Sequence, residues 1–361
     1  MVRKENMTKL LIISPFATHH TNINLKNLIP IFVKSGISCE VIDSQLYIPK
    51  FFDIQKYKKR KEFNKLLQEY DPDFIILDGF NELVYSIVQK KIPFFFLVRG
   101  HYWKEEEWSK ETINVTTKQK LAIRRKHNIM EKCFKEAAVI VPISNFLKDV
   151  IENHVSNKKI KVIHIDGREP DFWVNKKGMN LKHPCVGLVQ RATIWGKTKE
   201  MEILPKILEK MPQVTFYWAG DGPYRDKILA ELEKFDNFHW LGNLEYPNQV
   251  REFLTEIDVY AMFSGMDTLG YSVVEASFMR KPIIASNVGG IPETLQDGET
   301  GFLVNLGDAE GWIKNITKIL KNHELANEMG GDGRKFASEK FSCEQSGKQI
   351  ISLIQDCEEK H

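Results

Sequence analysis

Two carboxylates, Asp267 and Glu275, stand with seven residues between them in the stretch Ser264-Gly-Met-Asp-Thr-Leu-Gly-Tyr-Ser-Val-Val-Glu275. A carboxylate accepts two hydroxyl hydrogen bonds, as a ribose or a sugar diol supplies them. Between the two lies Gly270, and a helical pattern starts at Tyr271. The unpaired N–H groups of a helix's first turn, with the positive end of its dipole, make a diphosphate site. A glycine at that point lets backbone approach the ligand closely. The pattern predicts a ligand with its phosphates against Leu269, Gly270, Tyr271 and Ser272, and a hydroxyl pair at each end, on Asp267 and on Glu275. The plainer alternative is that Asp267 caps the helix and Glu275 lies on a solvated face.

Such residues converge only if strands and helices present them from one edge. Short apolar, β-branched runs alternate with amphipathic segments along the chain, the pattern of parallel sheets covered by helices. In the first half, strands are predicted at 10–14, 37–42, 74–77, 94–98, 139–143 and 161–165. Leu25, Leu28, Ile29 and Phe32 fall on one face of a helix that Gly36 terminates, and a long charged helix is predicted over 116–136. Periodicity lapses between Ile165 and Pro184 in a Gly, Pro, Asp and Lys-rich stretch that reads as a linker. The alternation then restarts, with strands at 186–189, 214–218, 239–241, 259–263 and 283–286 and an amphipathic segment at 344–354. The expected organisation is a first domain over 1–168, a linker over 169–184, a second domain over 185–340 and a helix within 341–361 that can return to the first domain. The fold class is α/β: two doubly wound, Rossmann-like domains facing a central cleft, where ligands of such sheets bind.

Composition agrees with that class. A chain of 361 residues, at roughly 100–200 per domain, suits two domains. With 42% hydrophobic and 27% charged residues, neither disorder nor a membrane bundle is indicated. No apolar run nears the ~18 residues of a spanning helix, and residues 1–9 are too polar for a secretory signal, so a cytoplasmic protein is expected. The five cysteines are scattered and free of C-x-x-C spacing, which indicates neither disulfides nor a zinc site. Residues 1–170 hold 29 Lys+Arg against 20 Asp+Glu, and residues 171–361 hold 22 against 28. The halves carry opposite charge, +9 and −6. In the basic half, Lys56, Lys58, Lys59, Arg60, Lys61 and Lys65 are interleaved with Phe51, Phe52, Tyr57 and Phe63, and a second basic run spans 118–126. Such residues can dock at an anionic bilayer, with about 1 kcal/mol per cation near the surface, or stay solvated. No nucleic-acid partner is indicated.

The stretch from Ser264 to Glu293 resembles the donor-site signature of the family 4 glycosyltransferases, retaining enzymes of the GT-B fold. Glu275-Ala276, Lys281-Pro282-Ile283-Ile284-Ala285-Ser286 and Gly289-Gly290-Ile291-Pro292-Glu293 follow that signature in order, and Asp297 to Val304 resembles its turn and return strand. Arg191, after the run Val186 to Gln190, and Lys197 resemble the basic pair that grips the donor diphosphate. Arg offers a bidentate fork to phosphate, and Lys a compact charge. Gly220-Asp221-Gly222-Pro223 and Leu241-Gly242-Asn243 resemble the family's glycine turn and the loop beside the nucleobase. His101 resembles the family histidine after the fourth strand, displaced by Arg99-Gly100. A buried structural histidine is the other reading. The family's Gly-Gly loop after strand one is replaced by Pro15 to Asn22, with His19 and His20, and its usual glutamate by Asp267.

The resemblance implies sugar transfer from a nucleoside diphosphate sugar to a glycan, lipid or small-molecule acceptor, with retention of configuration. Arg191, Lys197, Asp267 and His101 would serve catalysis. Arg191, Lys197, Gly242, Asn243, Asp267, Leu269, Gly270, Tyr271, Ser272 and Glu275 would bind the nucleotide sugar. No cofactor and no metal is expected, since the cations neutralise the leaving group. The same cleft could serve a nucleotide-sugar epimerase or a catalytically silent binding subunit. Asp71-Pro72-Asp73 has a metal-binding D-x-D form but precedes a strand and reads as a turn. His19 and His20 lack the spaced partners of a metal site.

Overall fold

A computed structural model describes residues 7–15, 23–48, 56–111, 117–156, 158–165 and 168–359. The chain forms two compact units, Met1–Arg168 with Cys343–His361, and Glu169–Ser342.

Unit 1 is built on a parallel sheet of β1 (Thr8–Ser14), β2 (Ile37–Asp43), β3 (Phe74–Asp78), β4 (Phe94–Val98) and β5 (Val139–Pro142), in the order β2-β1-β3-β4-β5. Strands β3 and β4, FIILD and FFFLV, are buried at every position, which is why they read as unbroken apolar runs. The connection from β1 to β2 departs from the single helix expected around Leu25 to Phe32. It is two short helices, Ile23–Lys26 and Ile29–Lys34. Pro30 sits in the first turn of the second, where its missing N–H does no harm but cannot continue a preceding helix. Gly36, at φ +77°, then turns the chain into β2.

The strand expected over 161–165 does not form. The segment runs beside β5, bridged at Ile160 to Ile140, with Lys161 and Ile163 N–H bonding the carbonyls of Ile140 and Pro142 at 3.0 and 3.1 Å. Pro142 has no N–H to return, so the ladder stops. The charged helix is Thr117–Glu136, and helix Cys343–Glu358 packs into unit 1. There Ile350, Leu353 and Ile354 are buried and Ser346 Oγ donates to the His164 carbonyl at 2.8 Å.

Unit 2 carries a second parallel sheet: β6 (Cys185–Val189), β7 (Thr215–Ala219), β8 (Phe238–Gly242), β9 (Val259–Met262), β10 (Ile283–Ser286) and β11 (Gly301–Val304). Their order, β11-β10-β9-β6-β7-β8, is the doubly wound one that reverses between β6 and β9. Phe263 and Trp312 stack at 3.7 Å in its core. Residues 169–184 lack regular structure but are no free linker. Trp173 is 1% exposed, Arg334 donates to the carbonyls of Pro170 and Trp173 at 3.0 and 2.7 Å, and the Arg251 guanidinium lies 4.2 Å over Phe172. Two adjacent aromatics fasten the segment to unit 2.

Candidate functional site

A doubly wound sheet binds ligand outside the carboxyl ends of the strands at its reversal point, here β6 and β9. Gln190 and Arg191 follow β6, and the loop from Phe263 to Gly270 follows β9. Gln190 Nε2 joins the two by donating to the Phe263 carbonyl at 2.6 Å. Gly265 N–H donates to the Lys197 carbonyl at 2.9 Å, and a Cβ on Gly265 would come within 2.3 Å of the Gly196 oxygen. Only glycine lets this loop lie so close to helix Trp195–Thr198, which carries Lys197.

The same loop rests on Gly289 and Gly290. A Cβ on either would stand 2.0 Å from the Asp267 oxygen or 2.1 Å from that of Thr268, and Gly290 N–H bonds the Asp267 carbonyl at 2.9 Å. The Gly-Gly pair is therefore the floor on which the 267–269 backbone sits. Ser286 Oγ accepts from Ser264 N–H at 3.0 Å and donates to the Met262 carbonyl at 3.2 Å, fixing the start of the loop.

Helix Tyr271–Phe278 begins at Gly270, whose φ of +88° is left-handed. Asp267 Oδ1 accepts from the N–H groups of Leu269 and Gly270 at 3.2 and 3.1 Å. Both N–H groups precede the helix, whose N-cap Gly270 receives no side-chain cap, so Asp267 braces its own loop and does not cap the helix. Ser272 Oγ accepts from the buried Tyr260 hydroxyl at 2.6 Å, so its own hydrogen is left to donate. Burial holds the Tyr260 pKa far above its ordinary value, keeping that hydroxyl a donor.

Glu275 is 3% exposed and accepts from Tyr246 Oη at 3.0 Å, so it does not lie on a solvated face. Tyr246 was invisible in the sequence reading: it lies 29 residues upstream on the loop after β8 and belongs to no motif.

Arg191 is exposed and Lys197 half-buried, and neither forms an ion pair with a carboxylate among the described residues. Arg225, by contrast, is paired with Asp221 and Asp226 at 3.2 and 2.7 Å. The glycine turn has a packing role as well: a Cβ on Gly220 would meet the Gln190 oxygen at 1.9 Å, and Trp218 Nε1 donates to that oxygen at 2.8 Å. Gly242 ends β8 at φ +71°, accepting from Gly220 N–H at 2.8 Å, with Asn243 exposed beside it. Unit 2 therefore gathers Arg191, Lys197, Asp267, Leu269 to Ser272 and Glu275 on loops and helix starts joined by hydrogen bonds.

His101 belongs to unit 1. Its Nδ1 accepts from Lys104 N–H at 3.2 Å, at the start of helix Tyr102–Glu111, which leaves the proton of the neutral ring on Nε2. Burial lowers its pKa. At the reversal point of that unit's own sheet, Ser14 Oγ and Arg99 Nε both donate to Asp78, at 2.8 Å each. This triad spans residues 14 to 99, and no local pattern announces it.

Asp73 accepts from Lys9 N–H at 2.8 Å and Asp71 has a φ of +52°, a turn rather than a metal motif. His19, His20 and most of their loop lie outside the described residues, as do Phe51 and Phe52. Phe63 is fully buried against Tyr47, with ring centroids 5.5 Å apart, so it is no part of a surface patch. Among the described residues, no helix is long and apolar enough to cross a membrane.

The fold, a pair of doubly wound parallel-sheet units, is that of GT-B proteins. Residues 192–322, within the unit that carries the site, match the model of the family described as Glycosyl transferases group 1. Among solved structures, a sucrose-phosphate synthase from Thermosynechococcus elongatus superposes with a TM-score of 0.76 at 17% identity, covering 98% of this chain and 100% of that one. Anabaena HepE in complex with UDP and glucose gives 0.71 at 17% identity, covering 97% and 100%. Among curated relatives, the sulfoquinovosyl transferase SQD2 of Arabidopsis thaliana is 32% identical over 39% of this chain and 28% of its own length. The trehalose synthase of Pyrococcus horikoshii is 29% identical over 61% and 53%. The N-acetyl-alpha-D-glucosaminyl L-malate synthase of Bacillus anthracis is 32% identical over 38% and 36%. The chain thus spans about half or less of the length of these relatives.

Proposed function

We propose that this protein transfers a sugar from a nucleoside diphosphate sugar to an acceptor, with retention and without a metal ion. One observation carries the reading: at the β6/β9 reversal point, Arg191 and Lys197, two cations without acidic partners among the described residues, share a braced loop system with a helix that starts at a left-handed glycine and with two carboxylates. The likeness to HepE, solved with UDP-glucose, supports a donor of this class.

Charge grows on the departing diphosphate as the glycosidic bond breaks. Fixed cations and a helix start stabilise it without reorganising. Ser272 Oγ–H donates toward the phosphates, Glu275 holds the ribose hydroxyls, and the second oxygen of Asp267 faces the transferred sugar. Within unit 1, a neutral His101 keeps its proton on Nε2, free to donate.

Incubating the protein with UDP-glucose, alone and with candidate acceptors, tests this. Transfer only with acceptor present supports it, conversion of the donor alone makes the protein an epimerase, and binding without either reaction makes it a silent subunit. For the acceptor, Tyr57, 81% exposed, and the exposed Lys58, Lys61 and Lys65 on helix Lys56–Tyr70 support an anionic lipid surface. Cosedimentation with liposomes that rises with anionic lipid and falls with salt is the expected result.

A further inference from the structure

At the amino end of the second sheet, away from the donor loops, three chemically distinct side chains converge. His183 and Cys185 lead into β6, and Asp258 immediately precedes β9. Their ligand atoms all lie within 4.8 Å of one another. Cys185 Sγ is 3.7 Å from His183 Nδ1, and that nitrogen is 2.8 Å from Asp258 Oδ2. Neighbouring ligands of a tetrahedral zinc ion, at about 2.3 Å for sulfur and 2.0 Å for nitrogen or oxygen, stand roughly 3.3–3.6 Å apart. The cluster therefore needs only a small opening to admit an ion.

Its surroundings fit the same chemistry. A metal-ligating histidine donates its other ring N–H to a carboxylate, which fixes the tautomer. Here His183 Nε2 lies 3.0 Å from Glu256 Oε1. Glu256 is itself seated against the backbone of Gly178, where a Cβ would stand 2.0 Å from Oε2. Asp258 is oriented by Cys185 N–H, which donates to its Oδ2 at 2.7 Å. Among the described residues, no Lys or Arg forms an ion pair with either carboxylate. Lys281, a partly buried ammonium in the field of both carboxylates, gives its hydrogens to the Thr255 and Ile257 carbonyls at 2.8 Å each. His183, Glu256 and Asp258 line a surface cavity of about 590 Å³, so an ion has a way in.

We propose that His183 Nδ1, Cys185 Sγ and Asp258 Oδ2 form a binding site for a thiophilic divalent cation of the zinc class, with Glu256 orienting the imidazole and water completing the tetrahedron. Binding displaces the thiol proton, and the second imidazole proton where present, to solvent. The ion ties the leads into β6 and β9 together at the end opposite the donor loops, a structural role.

The test is spectroscopic and independent of sugar transfer. The reduced, chelator-treated full chain is titrated with Co²⁺. One equivalent should produce a thiolate-to-cobalt charge-transfer band that Zn²⁺ abolishes. Cys185→Ser should remove the band, and Glu256→Gln should weaken binding by about 10–100-fold. Cys185 is fully buried. Should its variant fail to fold, His183→Gln, at the surface, decides in its place by losing the band. No band with wild type, or a band that survives Cys185→Ser or His183→Gln, overturns the proposal and leaves a histidine bridging two carboxylates.

Discussion

Asp267 spends one oxygen on the backbone of its own loop, and this separates two effects of replacing it. In Asp267→Asn the amide oxygen can keep both N–H bonds, so stability and UDP affinity should persist while transfer falls. Asp267→Ala should in addition lose the two loop hydrogen bonds, each worth about 0.5–1.5 kcal/mol of stability. Calorimetric titration with UDP, thermal melts and a transfer assay on the two variants check this; equal loss of UDP affinity in Asp267→Asn would make its role structural. Glu275→Ala should weaken UDP binding by about 1.5–3 kcal/mol, the scale of hydrogen bonds to a charged group. Tyr246→Phe should weaken it less, by freeing a carboxylate that Tyr246 now orients. His101 should titrate below the ordinary histidine value of about 6.5, because burial disfavours its charged form. The unfolded chain then binds that proton more tightly, so the contribution of His101 to stability is present above about pH 6.5 and lost as pH falls through its folded midpoint. Histidine chemical shifts followed against pH give that midpoint directly. The residue types at 267, 270 and 275 were legible in sequence because a phosphate site needs a glycine and a helix start close together. Partners from distant loops, such as Tyr246 for Glu275 or Asp78 for Arg99, were not, because nothing local encodes a contact across 29 or 21 residues.

The elements explain the glycines better than the ligand does. Gly289→Ala forces a Cβ into the Asp267 carbonyl, and Gly290→Ala one into that of Thr268. Overpacking of this kind costs about 1–3 kcal/mol and should shift the whole donor loop. UDP affinity is therefore expected to drop in both, through the displaced 267–269 backbone. Gly298→Ala, also at positive φ but with open space around it, should cost stability alone. Crossing melts with UDP titrations for the three variants separates the two outcomes. Strands β3 and β4 were readable from sequence as apolar runs because they are buried at every position. Where a proline interrupts hydrogen bonding, reading failed: Pro30 divides one expected helix, and Pro142 stops a ladder that β-branched residues at 161–165 advertised.

At the level of the molecule, hydrophobic periodicity marked where regular structure lapses but not what the irregular segment does. Residues 169–184 looked like a tether, yet Trp173 is packed among the side chains of unit 2. A chain stopped after Ser342 should lose the burial of Ile350, Leu353 and Ile354, each contributing about 1.5–3 kcal/mol, and with it the stability of unit 1, while UDP binding by unit 2 survives. Hydrogen exchange, read separately over the two units, tests that; a uniform loss would deny their independence. The same arrangement fixes an order of assembly. Domains usually mature in the order in which the ribosome releases them, amino-terminal first. Here the helix that completes the first unit, Cys343–Glu358, is synthesised after every residue of the second. During translation the later-born unit can close while the earlier one waits with an open face, so the interval in which nascent chains need a chaperone is set by how fast the intervening 169–342 segment is made.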